Sequence, residues 1–587
     1  MGSITPSIED YSVPEEAARV FHDGILQNPL IKAYLLSDYE ADAKLIRFEG
    51  SASPSLPINW RFAESVSALK AYEALVVNAL RKRKYGVEPA EVVVNTDHAQ
   101  LFIMSTLIWT LDPEGKAITL GSLSDPESAK EYGKYFPNRD KHAATSSFHR
   151  LAATNIYKTK DGRFFHAHGS MNPDPTISSL KLPLDAPTPA PDLETATAPF
   201  QEACAQYTAS ELQSLADTHR QAGTIAWTVE EYNTSQHGRA NAHVGLFEIH
   251  QHPSASQKAS WWPDPAPSSS VQPSAERPLA GLKVVDLTRV IASPAVSRGL
   301  AELGASVMRV TCEDVTDMSS LHLDLSHGKW NCFLNLRKEE DRETLRGLVK
   351  EADVFLQGYR PHVLDKYGFG QEDVLKLVEG RDRGIVYARE NCYGWQGEWM
   401  GRSGWQQISD ACCGVSIEYG RAMGLADGEA VTPVFPNSDY CTGIAGTTAI
   451  MTALLHRAEQ GGSYTVDLAL NYYSRWLTFS VGTYPKEVWK QLHALHGNPV
   501  FRHYHNMNYT IPALIKCIKQ NCPDKLFRPE FFDRYKVKNL GGVEVQVVKP
   551  VAKWVNGEVK PGYQVGTRGN GVDQPRWPED LGVEVVV

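Results

Sequence analysis

The sequence predicts an α/β protein built on a Rossmann-like, doubly wound parallel sheet, with one or more smaller α/β domains beside it. Three observations carry that prediction. From residue 281 onward, short apolar runs alternate with amphipathic segments, the pattern of strands and crossover helices. The first strand-to-helix turn, "TRVIASPA" (288–295), contains no G-x-G-x-x-G, so the sheet lacks the fingerprint that brings a backbone close to a dinucleotide pyrophosphate. Two Pro-rich stretches divide a chain of 587 residues, which is too long for one core.

Taken in order, "GLKVVDLTRV" (281–290) reads as a buried strand. "SPAVSRGLAELGA" (293–305) is a helix closed by Gly304, and "SVMRVTC" (306–312) and "WNCFLNL" (330–336) are strands. The charged segment "KEEDRETLRGLVKEA" (338–352) is a helix leading to the strand "DVFLQGY" (353–359), and "GIVYARENCYGW" (384–395) supplies another strand. The connectors are "LPLDAPTPAPDLETATAP" (182–199) and the longer "QHPSASQKASWWPDPAPSSSVQPSAERP" (251–278), whose Ser and Pro content marks the domain boundary. The division expected is 1–250, a linker at 251–278, a principal domain at 279–480 and a closing extension at 481–587. A weak repeat also aligns 78–102 with 452–477 without gaps, at an offset of 374 (78 against 452). Each copy reads as a helix end, a turn, a strand and a second helix.

Composition excludes several classes. A net charge of -10 with no basic block argues against nucleic acid or an anionic membrane as partner. Nine cysteines at irregular spacing read as free thiols of a reducing compartment. There is no apolar run long enough to span a bilayer. The acidic start "MGSITPSIED" has proline at position 6, against a myristoylation signal, and "GVEVVV" is no peroxisomal address. The expected location is the cytoplasm. His503 and His505 with His496 upstream, and the scattered His98, His166 and His168, have no Cys or carboxylate at ligand spacing, so no metal site is expected.

The stretch most able to carry chemistry is "TPVFPNSDYCTGIAGTTAIMTALLHR" (432–457), in which one carboxylate, Asp439, opens a small-residue helix. Two roles stand open from the residue alone: a capping group for the helix start, or a nucleophile kept ionised by the positive helix end and reachable through Gly-rich surroundings.

The segments "RPLAGLKVVDLTRVIASPAVSRGLAELGASVMRV", "GKWNCFLNLRKEEDRETLRGLVKEADVFLQGYRPHVLDKYGFG", "GRSGWQQISDACCGVSIEYG" and "VFPNSDYCTGIAGTTAIMTALLHRAEQGGSYTVDLAL" resemble, in order, class III (CaiB/BaiF) CoA-transferases, the group containing formyl-CoA transferase and α-methylacyl-CoA racemase. The resemblance covers about 277–480. In the N-terminal half, "NIYKTKDGRFFHAHGS" (155–170) resembles the small domain that follows in the family, so this half looks like a second, partial copy without the CoA-binding part. Family subunits interlock as dimers, which implies either a homodimer here or a single chain supplying both sides as a pseudo-dimer.

By this resemblance the chain is an enzyme that moves CoA from an acyl-CoA to a carboxylic acid acceptor, with CoA as substrate and no permanently bound cofactor. Asp439 falls on the nucleophile. Ile291 and Ala292 fall on the loop after the first strand, Leu334 and Arg337 on the adenosine-binding strand end, and Gly358, Tyr359 and Arg360 on a CoA loop with Lys366 near it. Arginine suits phosphate through its planar fork of donors. Four positions depart from the pattern. Ile291 replaces the glutamine of formyl-CoA transferase, and Cys312 replaces a basic residue. Trp405 and Gln406 replace the His-Asp of the racemases, which leaves racemisation or epimerisation without its base. A racemase and a non-catalytic acyl-CoA-binding protein are the alternatives the resemblance leaves.

Overall fold

The computed structural model describes residues 10–425 and 428–587, so most of the N-terminal stretch read above for leader signals (1–9) lies outside the described residues. In the first half, strand β1 (Ile46–Glu49) precedes the long helix α1 (Phe62–Tyr85), in which every residue from Phe62 to Arg81 is buried. Such a helix belongs to the core of a large molecule. It stops at Gly86, whose φ of +67° places it in the left-handed region, where glycine carries no Cβ penalty. Strand β2 (Val92–Asn95) lies parallel to β1 and runs straight into α2 (Thr96–Phe102), with the Asn95 side chain accepting from the His98 N–H as the helix cap. A three-stranded antiparallel sheet follows, made of β3 (Asn155–Lys158), β4 (Phe164–His168) and β5 (Ala222–Ile225). The expected Asp161-Gly162-Arg163 turn joins the first two of these strands. A helix, Leu193–Cys204, begins inside the first Pro-rich connector. Strand β6 (Glu248–His252) ends the half.

The second half then lays down β7 (Lys283–Leu287), α3 (Ala292–Glu302), β8 (Ser306–Thr311), β9 (Lys329–Phe333), α4 (Glu339–Glu351), β10 (Val354–Gln357) and β11 (Val386–Asn391). It continues with α5 (Gln406–Cys412), α6 (Asn437–Gln460), β12 (Ser463–Ala469), α7 (Leu470–Trp476) and, much later, β13 (Ala552–Trp554). The main sheet has the order β9-β8-β7-β10-β11-β12-β6, parallel except for β6. Chain direction around the sheet reverses between β7 and β10, so the carboxyl ends of those strands form the crevice where doubly wound sheets hold ligands. All residues of β8 and β12 are buried, as strands covered on both faces must be. Helices α3 and α6 lie backbone to backbone. A Cβ on Gly443 would come within 2.6 Å of the Ala295 Cβ, and one on Gly446 within 2.6 Å of Val296. That close approach brings the start of α6 to the crevice.

The repeat is structural. Adding 374 to the bounds of α2 gives those of α7, and the same shift carries α1 onto α6 within one residue and β2 into β12. The small sheet β1-β2-β13 also copies β11-β12-β6, each having one parallel and one antiparallel neighbour around its central strand. The antiparallel strands are exchanged. Strand β6 of the first half completes the second half's sheet, and β13 of the second half completes the first's. The connection between the halves is laid down on the surface of this core, pinned where Trp262 is buried and donates to the Ala280 carbonyl at 2.9 Å.

Candidate active site

Helix α6 starts from Pro436, and no side chain caps it. Asp439 is its third residue. Among the described residues nothing hydrogen-bonds or ion-pairs with its carboxylate, so the capping role is not the one it fills. It is part-exposed, while Asn437, Ser438 and Tyr440 around it are buried. Both flanks of this turn are tied down. The Asn437 amide donates to the Tyr473 hydroxyl at 2.7 Å, and the Tyr440 hydroxyl donates to Asp324 at 2.5 Å. Asp324 is paired with the buried Arg298 at 2.8 and 2.9 Å and also accepts from Ser105 of the first half. Pairing and hydrogen bonding are what make a buried charge tolerable.

Burial pushes the Asp439 carboxyl up to about 8. This corrects the expectation that the helix end keeps it ionised. Loss of hydration costs the charged form more than one turn of helix dipole returns. Two further carboxyls, which the sequence reading missed, share the region. Glu390, at the end of β11, is pushed up to about 8 by burial, with Asp439's charge adding to the shift, and the Ser293 hydroxyl donates to its Oε2 at 2.9 Å. Asp410 on α5 is held well above the usual carboxylate range by burial and again by Asp439, with the Gln406 amide donating to it. Burial also holds the Cys392 thiol up, helped by Cys412 and all three carboxyls. The signal for Glu390 was a charged residue near the carboxyl end of an otherwise buried parallel strand, "VYAREN".

The other expected residues fall into two groups. The first surrounds the carboxyls. Ile291 and Ala292 open α3 immediately before Ser293, after Val290, whose φ of +71° is a strained position for a β-branched residue. Gly358 follows β10. A Cβ there would lie 2.5 Å from the Ser293 Oγ and 3.7 Å from the Glu390 Oε2, so only glycine leaves that contact intact. Trp405 precedes α5, donates from Nε1 to the Ser170 Oγ at 2.9 Å and stacks on His168 with ring centroids 5.6 Å apart.

The second group lies farther along the strand ends. Leu334, Arg337 and Tyr359 line a cavity of about 170 Å³ together with Cys312. Arg337 and Lys366 also line a basin of about 550 Å³ with Arg342 and Arg346, two cations the sequence reading did not single out. Arg342 and Arg346 are paired with Glu339 and Glu343. Among the described residues, Arg337 and Lys366 have no carboxylate partner and stay free for an anion. Tyr359 carries the Arg289 guanidinium 5.4 Å above its ring, and Arg360 donates to the Arg220 carbonyl at 3.2 Å.

Ser170, His168 and Arg220 belong to the first half, as does Met171, which touches Arg289 at 3.9 Å. The first half therefore forms one wall beside the expected site residues. His503 bonds to Glu429 at 2.6 Å, which Arg502 grips with both nitrogens. Glu248, His250 and Asp467 lie within 4.8 Å of one another, but Arg389 already occupies both Asp467 oxygens at 2.6 and 3.0 Å, a poor setting for a divalent cation.

A doubly wound sheet with reactive groups clustered at its switch point defines an α/β enzyme of the ligand-in-crevice class. Residues 279–509 match the model for CoA-transferase family III. The chain is 51% identical over 583 residues to acetyl-coenzyme A transferase nodX of Hypoxylon pulicicidum, covering 99% of this chain and 96% of that one. It is 30% identical over 523 residues to an acyl-CoA transferase of Gibberella moniliformis, covering 88% of each. The chain belongs to CoA-transferase family III. A solved CaiB/BaiF family protein from Brucella suis is 26% identical over 38% of this chain and 59% of that one, with a TM-score of 0.30. Among the described residues no helix is long and apolar enough to cross a membrane.

Proposed function

We propose that this chain transfers CoA from an acyl-CoA to a free carboxylic acid, with Asp439 as the nucleophile. The supporting observation is the Asp439 carboxyl itself. It is uncapped, unpaired and reachable, on a helix turn whose two flanks are locked by buried hydrogen bonds. Preorganisation of that kind suits a reacting group better than a structural one. The named relatives transfer acetyl-CoA or acyl-CoA, which suits an acyl-CoA donor here.

In the proposed course an Asp439 oxygen attacks the thioester carbonyl, the C–S bond breaks, and an aspartyl–acyl anhydride forms with release of CoA thiolate. The thiolate attacks the aspartyl carbonyl, the donor acid leaves, and an aspartyl-CoA thioester remains. The acceptor carboxylate attacks that thioester, and the expelled thiolate then takes the acceptor's acyl carbon, restoring the Asp439 carboxylate. Bonds and charge balance with no added oxidant or reductant. The cavity at Leu334, Arg337 and Tyr359 and the basin at Arg337 and Lys366 suit the adenosine and phosphates. Ile291, Ala292, Gly358, Arg360 and Trp405 flank the path to Asp439. The wall at 168–171 takes the part that a partner subunit plays in a dimer, which makes the chain a single-chain pseudo-dimer. Trp405 offers no basic nitrogen, which disfavours racemisation.

The test is hydroxylamine trapping after mixing the protein with a panel of acyl-CoAs. A hydroxamate at Asp439 is expected, and Asp439→Ala should lose both the adduct and turnover by at least about 10³-fold. CoA binding with no adduct at any acyl group would favour a binding protein. Deuterium uptake at the α-carbon without transfer would favour a racemase.

A further inference from the structure

Of the buried groups around Asp439, Glu390 has a geometry that the four steps above leave unused. Its carboxyl sits at the carboxyl end of β11 and is fixed by one hydrogen bond, from the Ser293 Oγ at 2.9 Å. Ser293 is in the first turn of α3, beside Ile291 and Ala292. On the other side runs the Gly358 loop, whose backbone passes so close that a Cβ there would lie 2.5 Å from the Ser293 Oγ and 3.7 Å from the Glu390 Oε2. A thioester held along the Gly358 loop and reacting at Asp439, whose charge already reaches Glu390, has the Glu390 carboxyl as a neighbour.

We infer that Glu390 is a second catalytic residue, a proton donor and acceptor for the sulfur of CoA. This rests on the nucleophilic role of Asp439 proposed above. When an Asp439 oxygen bonds to the acyl carbon and the C–S bond breaks, the proton on Glu390 passes to the departing sulfur. The site then holds a neutral anhydride, a neutral thiol and the Glu390 carboxylate. In the next step Glu390 takes the proton back as the sulfur attacks the aspartyl carbonyl. The same exchange serves the return half of the reaction. A single negative charge passes from Asp439 to Glu390 and then leaves with the donor carboxylate, and the buried site never carries two, which would repel strongly.

The proton affinities fit such a shuttle. Burial brings Glu390 to about 8, and an alkyl thiol titrates near 8.5. Matched partners exchange a proton in either direction with little cost, which suits a step that must run both ways. Asp410 is less suited to this exchange, because the Gln406 amide already holds it.

The experiment compares wild type with Glu390→Gln, an isosteric change that keeps an acceptor for Ser293. The first readout is the rate of the Asp439 adduct with acetyl-CoA, measured by hydroxylamine quench. The second uses an acetyl aryl thioester, whose thiolate leaves without needing a proton. Acetyl-CoA binding by isothermal titration checks that the site is intact, and Glu390→Asp provides a conservative control. The expected result is a fall of about 10²-fold with acetyl-CoA, little change in affinity, and nearly equal rates for both proteins with the aryl thioester. A variant that matches wild type with acetyl-CoA, or one equally slow with both thioesters, would overturn the role of Glu390 while leaving Asp439 the nucleophile. Absence of an adduct in wild type would instead remove the Asp439 reading, and this inference with it.

Discussion

The two halves of the chain build the same helix–strand–helix unit, and only one of them carries carboxyls at the positions of Asp439 and Glu390. Where α6 presents Asp439, the matching position of α1 is Ser65, whose hydroxyl donates to the Phe62 carbonyl and meets the Tyr473 hydroxyl at 2.9 Å. Strand register locates the second difference. Phe48 pairs opposite Val94 as Glu390 pairs opposite Leu468, so an aromatic ring replaces the carboxyl. Among the described residues the first half has no counterpart of β7 to β10, and β1 is the edge of its sheet. A protein with two equivalent units needs reactive carboxyls in only one of them. In the other, the same positions are free to take residues that suit a core. The buried carboxyls of the first half lie elsewhere and have partners: Glu64 accepts from the Tyr11 hydroxyl, Glu73 pairs with Lys70 and Asp97 accepts from Ser51.

The largest effect should come from erasing that difference. Ser65→Asp places an unpaired carboxyl in a fully buried position, at a cost of about 3 kcal/mol or more in stability. It should create no second reactive group, because no crevice faces it. Denaturant unfolding and adduct stoichiometry check this together, and two trapped adducts per chain would refute the asymmetry.

A smaller effect should appear in the pH dependence. The Asp439 carboxyl is raised to about 8, so between about pH 4 and 8 the folded chain holds a proton that the unfolded chain has released. Stability on this account falls as pH rises through that window. Asp439→Asn should therefore be more stable than wild type by roughly 1–3 kcal/mol at pH 8, with the gap closing near pH 4. Ser65→Ala should show no such pH-dependent gain. The rate of adduct formation with acetyl-CoA should climb with pH toward about 8 as Asp439 ionises and fall again above it as Glu390 loses its proton, whereas with the aryl thioester it should level off. A flat profile between pH 6 and 9 would contradict the burial argument.

The smallest expected change concerns the wall that the first half lends to the second. Ser170→Ala removes the acceptor of the Trp405 indole N–H, leaving a half-buried donor unmet at about 1 kcal/mol. The effect should read as a severalfold rise in KM for the acyl-CoA with kcat nearly unchanged. An equal fall in kcat would mean that the wall acts on the transition state.

Much of this was legible beforehand, and the illegible parts share a cause. Alternating apolar runs and helical segments located β7 to β11, and the offset of 374 located β12 and the repeat, because both are local patterns; the antiparallel edge strand β6, which runs into the expected linker, was not read as a strand. Asp439 was visible as a carboxylate at a helix start, but its state was misread. A helix end can be recognised from neighbouring residues, whereas its dehydration depends on packing contributed by distant ones. Glu390 and Asp410 escaped for the same reason. They are 20 residues apart in sequence (390 and 410) and become a cluster only when β11, α5 and α6 converge. Ser170 and His168 lie more than 200 residues before Trp405, and no spacing rule links them.

The exchange of β6 and β13 has a consequence for how the chain is made. During synthesis, the ribosome releases the whole first half and then Asp439 before residues 552–554 emerge. Until they do, one side of β2 is an unpaired edge, a template for any other strand nearby. The long helix that anchors the first half is by then fully synthesised, but the sheet against it is not closed. The strand exchange thus makes closure of the first half's sheet wait on the end of the second half. The exposure of this edge of β2 ends with a strand of three residues, Ala552–Trp554.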